Sequence, residues 1–146
     1  MTECWIFDLD STLANCDSRR HYLLQEPQDW DGWYREVSED LPNHDIIQFT
    51  KIARILGFKI FVCTGRLEKA REESEKWLRK NEVQFDGLYM RREDDFREDE
   101  LVKKDMLDNI LENGNVPTLA FEDRDRVVKM WRENGIRCLQ VDYGDF

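Results

Sequence analysis

No stretch of this sequence approaches the ~18–20 consecutive apolar residues needed to span a bilayer, and its first residues lack the basic, apolar and small-residue zones of a secretory leader. No membrane association and a cytoplasmic setting are therefore expected. Histidine is scarce, with only His21 and His44, and the four cysteines, Cys4, Cys16, Cys63 and Cys138, show no CxxC spacing. That argues against a structural zinc site, which takes four Cys or His ligands at characteristic spacings. The cysteines read instead as small, reduced core residues. No GxxxxGK[ST] loop occurs, so a Walker-type phosphate cradle is missing. Positive charge is in deficit: 22 Lys and Arg stand against 32 Asp and Glu, a net charge of −10. This excludes a protein that coats nucleic acid by neutralising many phosphates. It leaves open one that grips only the end of a strand.

What is present suits a single α/β domain over residues 1–146 with an apolar content, 40%, sufficient for a core. Short apolar runs alternate with longer charged stretches, the pattern of strands joined by crossover helices. Trp5 to Phe7, Phe58 to Cys63, Gly87 to Met90, Leu119 to Phe121 and Cys138 to Val141 are the candidate strands. Each is apolar without clean alternation, as in a mostly parallel, Rossmann-like sheet covered on both faces. Ile46, Phe49, Ala53 and Leu56 form one helical stripe ending near Gly57; Val102, Met106 and Ile110, then Val127, Val128 and Trp131, form two more, with Gly114 and Gly135 at the expected stops. The run from Glu68 to Lys80 reads as an exposed helix laced with opposite charges. Residues 15–43 carry Pro27, Pro42, Trp30 and Trp33 among acids and read as a small, cap-like insertion. The expected architecture is a three-layer sandwich.

Four segments carry chemistry. Asp8-Leu9-Asp10-Ser11-Thr12 follows the first strand, so both carboxylates emerge at the carboxyl edge of the sheet, where ligands bind in such folds. Phosphoryl transfer through a carboxylate needs one acid to attack phosphorus and another to protonate the leaving oxygen and then activate water. Asp8 and Asp10 suit those roles, with Thr12 donating to Asp10 or to nearby backbone. Thr64, Gly65 and Arg66 at the end of the second long strand offer a hydroxyl, a backbone that tolerates close approach, and a guanidinium for a phosphoryl oxygen. Lys103 or Lys104 supplies an ammonium, and Glu122-Asp123-Arg124 closes another strand with two adjacent acids suited to magnesium. Each segment alone has a bland reading as a solvated turn or charged surface; the order and convergence of all four carry the inference.

Taken together these residues resemble the haloacid-dehalogenase-like (HAD) phosphatases. The resemblance implies the HAD-like fold, Asp8 as nucleophile, Asp10 as acid/base, Thr64 as the second-motif hydroxyl, Lys103 rather than Lys104 as the functional lysine, and Mg2+ held by Asp8, Asp123 and the backbone carbonyl of Asp10. Phe96 to Lys103, Leu119 to Trp131, Cys138 to Val141 and Gly144 to Phe146 further resemble the 3′-phosphatase half of phage polynucleotide kinase/phosphatases. This implies a nucleic-acid 3′ end, DNA or RNA, as substrate, in a bacterial or phage-infected cytoplasm; the missing Walker-type loop puts any accompanying kinase on another polypeptide, and a separate kinase or ligase is the expected partner. Glu122 and Ser11 depart from the usual aspartate and glycine. The short insertion implies an open site, and Arg92 and Arg97 are expected to touch the nucleotides beside the scissile phosphate. A nucleotidase acting on free mononucleotides is the alternative, and a non-catalytic scaffold binding a repair partner the minor one.

Overall fold

A computed structural model describes residues 1–146. The centre of the molecule is a five-stranded, all-parallel sheet built from β1 (Thr2–Phe7), β4 (Lys59–Leu67), β5 (Gly87–Arg91), β6 (Asn115–Glu122) and β7 (Arg137–Gln140). Their order is β5-β4-β1-β6-β7. The chain therefore builds outward from β1 on one side, then crosses to the other, which makes the carboxyl end of β1 the topological switch point. No helix is long and apolar enough to cross a membrane.

Strand alternation divides the core in two. Cys4, Ile6, Phe61, Cys63 and Ala120 face α5 (Asp99–Glu112) and α6 (Asp125–Glu133), where they meet Val102, Met106, Ile110, Val127 and Trp131. Phe7, Ile60, Val62, Leu88 and Phe121 face the opposite layer, α3 (His44–Ile55) and α4 (Arg71–Lys80), and meet Ile47, Ala53, Trp77 and Leu78. Phe7 and Phe121 stack with ring centroids 4.5 Å apart across the β1–β6 pair. Both faces of the sheet are thus apolar, which is why its strands lack the polar alternation of a half-exposed sheet. All four cysteines are free and buried.

Each strand departs from its expected bounds, most in β1, which starts already at Thr2, in β6 and in β4. β6 starts at Asn115, before the apolar run, and contains Pro117; the pairing with β1 shifts register between Cys4 and Trp5, opposite that residue. Proline has no N–H to give the ladder, so an irregularity there accommodates it. β4 continues past Cys63 through Thr64, Gly65 and Arg66 to Leu67, so these residues lie on extended backbone rather than in a strand-to-helix turn. The Glu68–Lys80 segment opens with a 3-10 turn, Glu68–Ala70, before α4, whose outer face carries the pairs Glu72–Lys76 and Glu75–Arg79 while Trp77 and Leu78 are buried. Gly57 and Gly114, at φ +85° and +81°, end α3 and α5 in the left-handed conformation that glycine adopts freely.

The insertion is a compact flap. A two-stranded antiparallel ribbon, β2 (Ala14–Asn15) with β3 (Leu41–Pro42), ties its two ends together, and α1 (His21–Leu24) and α2 (Trp30–Arg35) lie between them. Asp29 caps α2 by accepting from the Gly32 N–H.

Packing at the sheet–helix boundary sets stability. Ile110→Ala, at a fully buried position, is expected to cost roughly 2–5 kcal/mol, read as a lower urea midpoint. Ile55→Ser, on the exposed side of α3, should change stability by no more than about 0.5 kcal/mol.

Candidate active site

Asp8 begins where β1 ends. Its N–H donates to the Phe121 carbonyl at 3.0 Å, so the residue is locked between the carboxyl ends of β1 and β6. The chain then turns sharply: Ser11 N–H donates to Ala14 O, Ala14 N–H donates to Leu9 O, and Ser11 takes φ +65°. Glycine would adopt that conformation without strain; serine here is held by contacts of its hydroxyl with Cys16 Sγ (3.0 Å) and Arg20 Nη2 (2.8 Å). The turn brings Thr12 back to Asp8. Its hydroxyl donates to Asp8 Oδ2 at 3.2 Å, so its partner is Asp8 and not Asp10 or backbone as expected.

On the other side of Asp8 stands Lys103, delivered by the second turn of α5 and 1% exposed. Its Nζ donates to Asp8 Oδ1 (2.8 Å) and to Glu122 Oε2 (2.7 Å), and lies 3.7 Å from Asp99 Oδ2. Burial pulls the ammonium's pKa down, but Asp8, Glu122 and Asp99 outweigh it and raise the value well above the ordinary lysine range. Lys104 points elsewhere, to Asp108. Glu122 uses its second oxygen to accept from the N–H groups of Asp123 (3.1 Å) and Arg124 (3.4 Å), shaping the turn that carries Asp123.

Asp8, Glu122 and Asp123 form one buried acidic cluster, with a carboxylate oxygen from each lying within 4.8 Å of the others. Burial, then Asp8, pushes Glu122 up to about 8; burial, Asp8 and Glu122 push Asp123 up to about 10. One ammonium does not compensate three carboxylates at such spacing, and hard oxygen donors with surplus negative charge fit a divalent cation such as Mg2+. Both oxygens of Glu122 and both of Asp8 already accept hydrogen bonds, so a cation here would share Asp8 with Lys103 or Thr12 and take Asp123 beside it.

Asp10 lies in a different environment. Its Oδ1 accepts from Arg66 Nη2 (2.6 Å), Arg19 Nη2 (2.9 Å) and Arg66 Nε (3.1 Å), whereas Oδ2 has only Arg66 Nε at 3.2 Å. Burial raises its pKa, yet the two guanidiniums prevail and bring it down to about 2. Its carboxylate is therefore governed by guanidiniums rather than by the acidic cluster. Asp40 completes the arrangement, with Oδ1 and Oδ2 each 2.7 Å from Arg19 and Oδ2 3.3 Å from Arg66. Arg66, expected to offer its guanidinium to a phosphoryl oxygen, is 2% exposed and wholly occupied by Asp10, Asp40 and Ser74.

Thr64 Oγ1 accepts from the Arg66 N–H at 3.1 Å, which leaves its own proton free to donate. Gly65 does allow a close approach, but by a protein group: a Cβ there would sit 2.3 Å from Asp99 Oδ1. Arg91 bonds both Gly65 O (3.1 Å) and Asp99 Oδ1 (3.2 Å) and so ties β5 to the site. Arg92 and Arg97 are not in this cluster. They line a cleft of about 540 Å³ between β5 and α5, where Arg92 lies 3.3 Å from Asp94 and Arg97 is held by Asp95 (2.9 Å) and Asp105 (2.6 Å).

Sequence reasoning missed Arg19, Asp40 and Asp99. The first two sit in the irregular insertion, where no periodicity marks a residue as buried. Asp99 carried a usable signal, since it lies four residues before Lys103 on one helix face.

The raised acids give a pH dependence whose sign is fixed. A carboxyl whose pKa is higher folded than unfolded holds a proton that the unfolded chain has lost, so stability falls as pH rises toward the folded value. In chelator, Tm is expected to drop between about pH 5 and pH 9, and Asp123→Asn to flatten much of that slope. Differential scanning fluorimetry across the range reads both.

A family profile described as Polynucleotide kinase PNKP phosphatase domain matches residues 2–146. A protein of Autographa californica nuclear polyhedrosis virus, named as a bifunctional polynucleotide kinase/RNA ligase, is 28% identical over 128 residues, 86% of this chain and 17% of the viral protein. Among solved structures, a chain of the Pnkp1/Rnl/Hen1 RNA repair complex superposes with TM-score 0.86 at 32% identity, covering 99% of this chain and 44% of that one. The class C acid phosphatase from Bacillus anthracis with tungstate bound gives TM-score 0.71 at 15% identity, covering 99% and 69%, which shows a common fold. This chain thus spans less than half of the repair-complex chain and a small part of the viral protein. With the profile running almost from end to end, the chain belongs to the polynucleotide kinase PNKP phosphatase-domain family and is a haloacid-dehalogenase-like phosphatase.

Proposed function

We propose that the protein removes 3′-phosphates from polynucleotide ends, in a Mg2+-dependent reaction that passes through an aspartyl-phosphate on Asp8. The observation that carries the reading is the placement of Asp8: one oxygen faces Lys103, the other Thr12, at the switch point of a parallel sheet and beside Asp123. Such fixed donors orient a carboxylate for in-line attack without reorganisation at the moment of reaction.

In the first half-reaction an Asp8 oxygen forms a bond to phosphorus while the bond to the 3′ oxygen breaks. Lys103 stays protonated and offsets charge on Asp8 and the incoming phosphoryl group. Thr64 donates its free hydroxyl proton to a phosphoryl oxygen. Mg2+, held by Asp8, Asp123 and the Asp10 carbonyl when bound, supplies charge neutralisation between carboxylate and phosphate. Asp10 gives a proton to the leaving 3′ oxygen and takes one from the water that hydrolyses the acyl phosphate. Its Oδ2, with one weak contact, is the oxygen for that traffic. The guanidiniums favour its ionised form, so Asp10 is poised as the base of the second step and needs a loosened Arg19 or Arg66 contact to act as the acid of the first.

The substrate assignment rests on the family and on the relatives, which include an RNA repair complex and a kinase/RNA ligase. A ligase consumes a 3′ hydroxyl, the product of this reaction, so a ligase is the natural partner. We assign no substrate contact to Arg97, whose guanidinium Asp95 and Asp105 already occupy. With so few free cations at the site, the salt dependence of binding should correspond to about one to three neutralised phosphates.

Asp8→Asn should lower turnover at least roughly a thousandfold, and chelation should abolish it reversibly. A 3′-phosphorylated oligonucleotide should be processed with higher kcat/KM than the 5′-phosphorylated one or a 3′-mononucleotide, because contacts to neighbouring nucleotides orient the reacting group. Equal efficiency on mononucleotide and oligonucleotide would instead make the protein a nucleotidase.

A further inference from the structure

The turn that carries Asp123 is gripped from outside by the segment that follows β7. Val141 N–H donates to Glu122 O at 3.0 Å, and Asp125 N–H donates to Gly144 O at 2.7 Å. Gln140 Nε2 donates to Asp123 O (2.9 Å) and to Asp125 Oδ1 (2.6 Å). The Phe146 ring lies 4.6 Å from the Arg124 guanidinium carbon, and Arg124 in turn stands 3.8 Å from Asp99 Oδ2. Each residue from Glu122 to Asp125 therefore has a partner in residues 140–146.

Gly144 makes the closest of these approaches. A methyl group built on its Cα would fall 1.8 Å from the Asp123 carbonyl oxygen and 2.6 Å from Arg124 Cα, both backbone atoms that no rotamer change can move. Gly144 is not among the glycines with positive φ, which are Gly57, Gly114 and Gly135. Any residue could adopt its backbone conformation, so what the fold requires at 144 is the absence of a side chain.

We infer that residues 140–146 form a positioning clamp for the Asp123 turn, and that Gly144 sets how deeply Asp123 sits beside Asp8. This rests on the reading of Asp123 as a metal-binding acid. Mg2+ demands near-ideal octahedral geometry at about 2.0–2.1 Å, whereas Ca2+ accepts looser and larger coordination. A shift of the Asp123 backbone by a fraction of an ångström should thus weaken Mg2+ binding more than Ca2+ binding. Gly144 and Phe146 are positioning residues, since neither touches the reacting atoms.

The test is a thermal-shift titration of the substrate-free protein with Mg2+ and with Ca2+, paired with Mg2+-dependent turnover, for wild type, Gly144→Ala, Phe146→Ala and Tyr143→Ala. Gly144→Ala should weaken Mg2+ roughly tenfold or more, with a smaller change for Ca2+ and KM for the phosphate ester within about twofold. Phe146→Ala should shift Mg2+ in the same direction by less. Tyr143→Ala, in the same segment but 95% exposed, should match wild type. A wild-type Mg2+ response in both Gly144→Ala and Phe146→Ala, or a loss of stability in chelator with no change in metal response, would overturn the clamp alone. If Gly144→Ala does not fold, Phe146→Ala decides by the same criterion. A wild-type protein with no Mg2+ response at all would overturn the metal reading and the clamp together.

Discussion

A single buried ammonium, that of Lys103, is what allows Asp8, Glu122 and Asp99 to converge at the end of the central strands. Removing a carboxylate from water costs several kcal/mol even after relaxation, and three of them around an empty centre would drive the strand ends apart. Lys103 bonds two and lies close to the third, and it reaches them because α5 is the crossover that carries the chain from one side of β1 to the other. The topology that creates the switch point also delivers the cation that makes it habitable.

A second charge knot lies two residues further along the chain. Arg19 and Arg66 share Asp10 and Asp40 in an arrangement nearly closed to solvent. Asp8 and Asp10 are separated by one residue yet belong to different electrostatic neighbourhoods, one governed by an ammonium and companion acids, the other by two guanidiniums. Unequal environments are how a pair of like groups is assigned unlike chemistry. Here the division is made by the left-handed turn at Ser11, which sends Thr12 to Asp8 and leaves Asp10 to the arginines.

Much of this was legible in the sequence because burial on both faces leaves unmistakable apolar runs. The five strands, the three helical stripes and the residues at the strand ends were all readable from Trp5, Phe61, Phe121 and their neighbours. What escaped was whatever depended on pairing across distant segments. Nothing in the spacing of Arg19, Asp40 and Arg66 says that their side chains meet. The closeness of Gly65 to Asp99 is a relation between a strand and a helix start that only packing creates. The arginines of the Arg91–Arg97 segment were visible as charges, but Arg91 serves structure and Arg97 is neutralised by Asp95 and Asp105, as an acidic chain tends to ensure.

Residues 15–43 lie outside the central sheet, yet they supply Arg19 and Asp40 to the Asp10 knot. A change in this insertion therefore reaches the charge balance around Asp10. Exchanging it without Asp40 would leave Arg19 and Arg66 sharing the one carboxylate of Asp10, and exchanging it without Arg19 would leave Asp10 and Asp40 to one guanidinium, so the two residues have to be retained or replaced together. The insertion and the carboxyl end of the central strands thus share one charge balance, and a change on either side constrains the other.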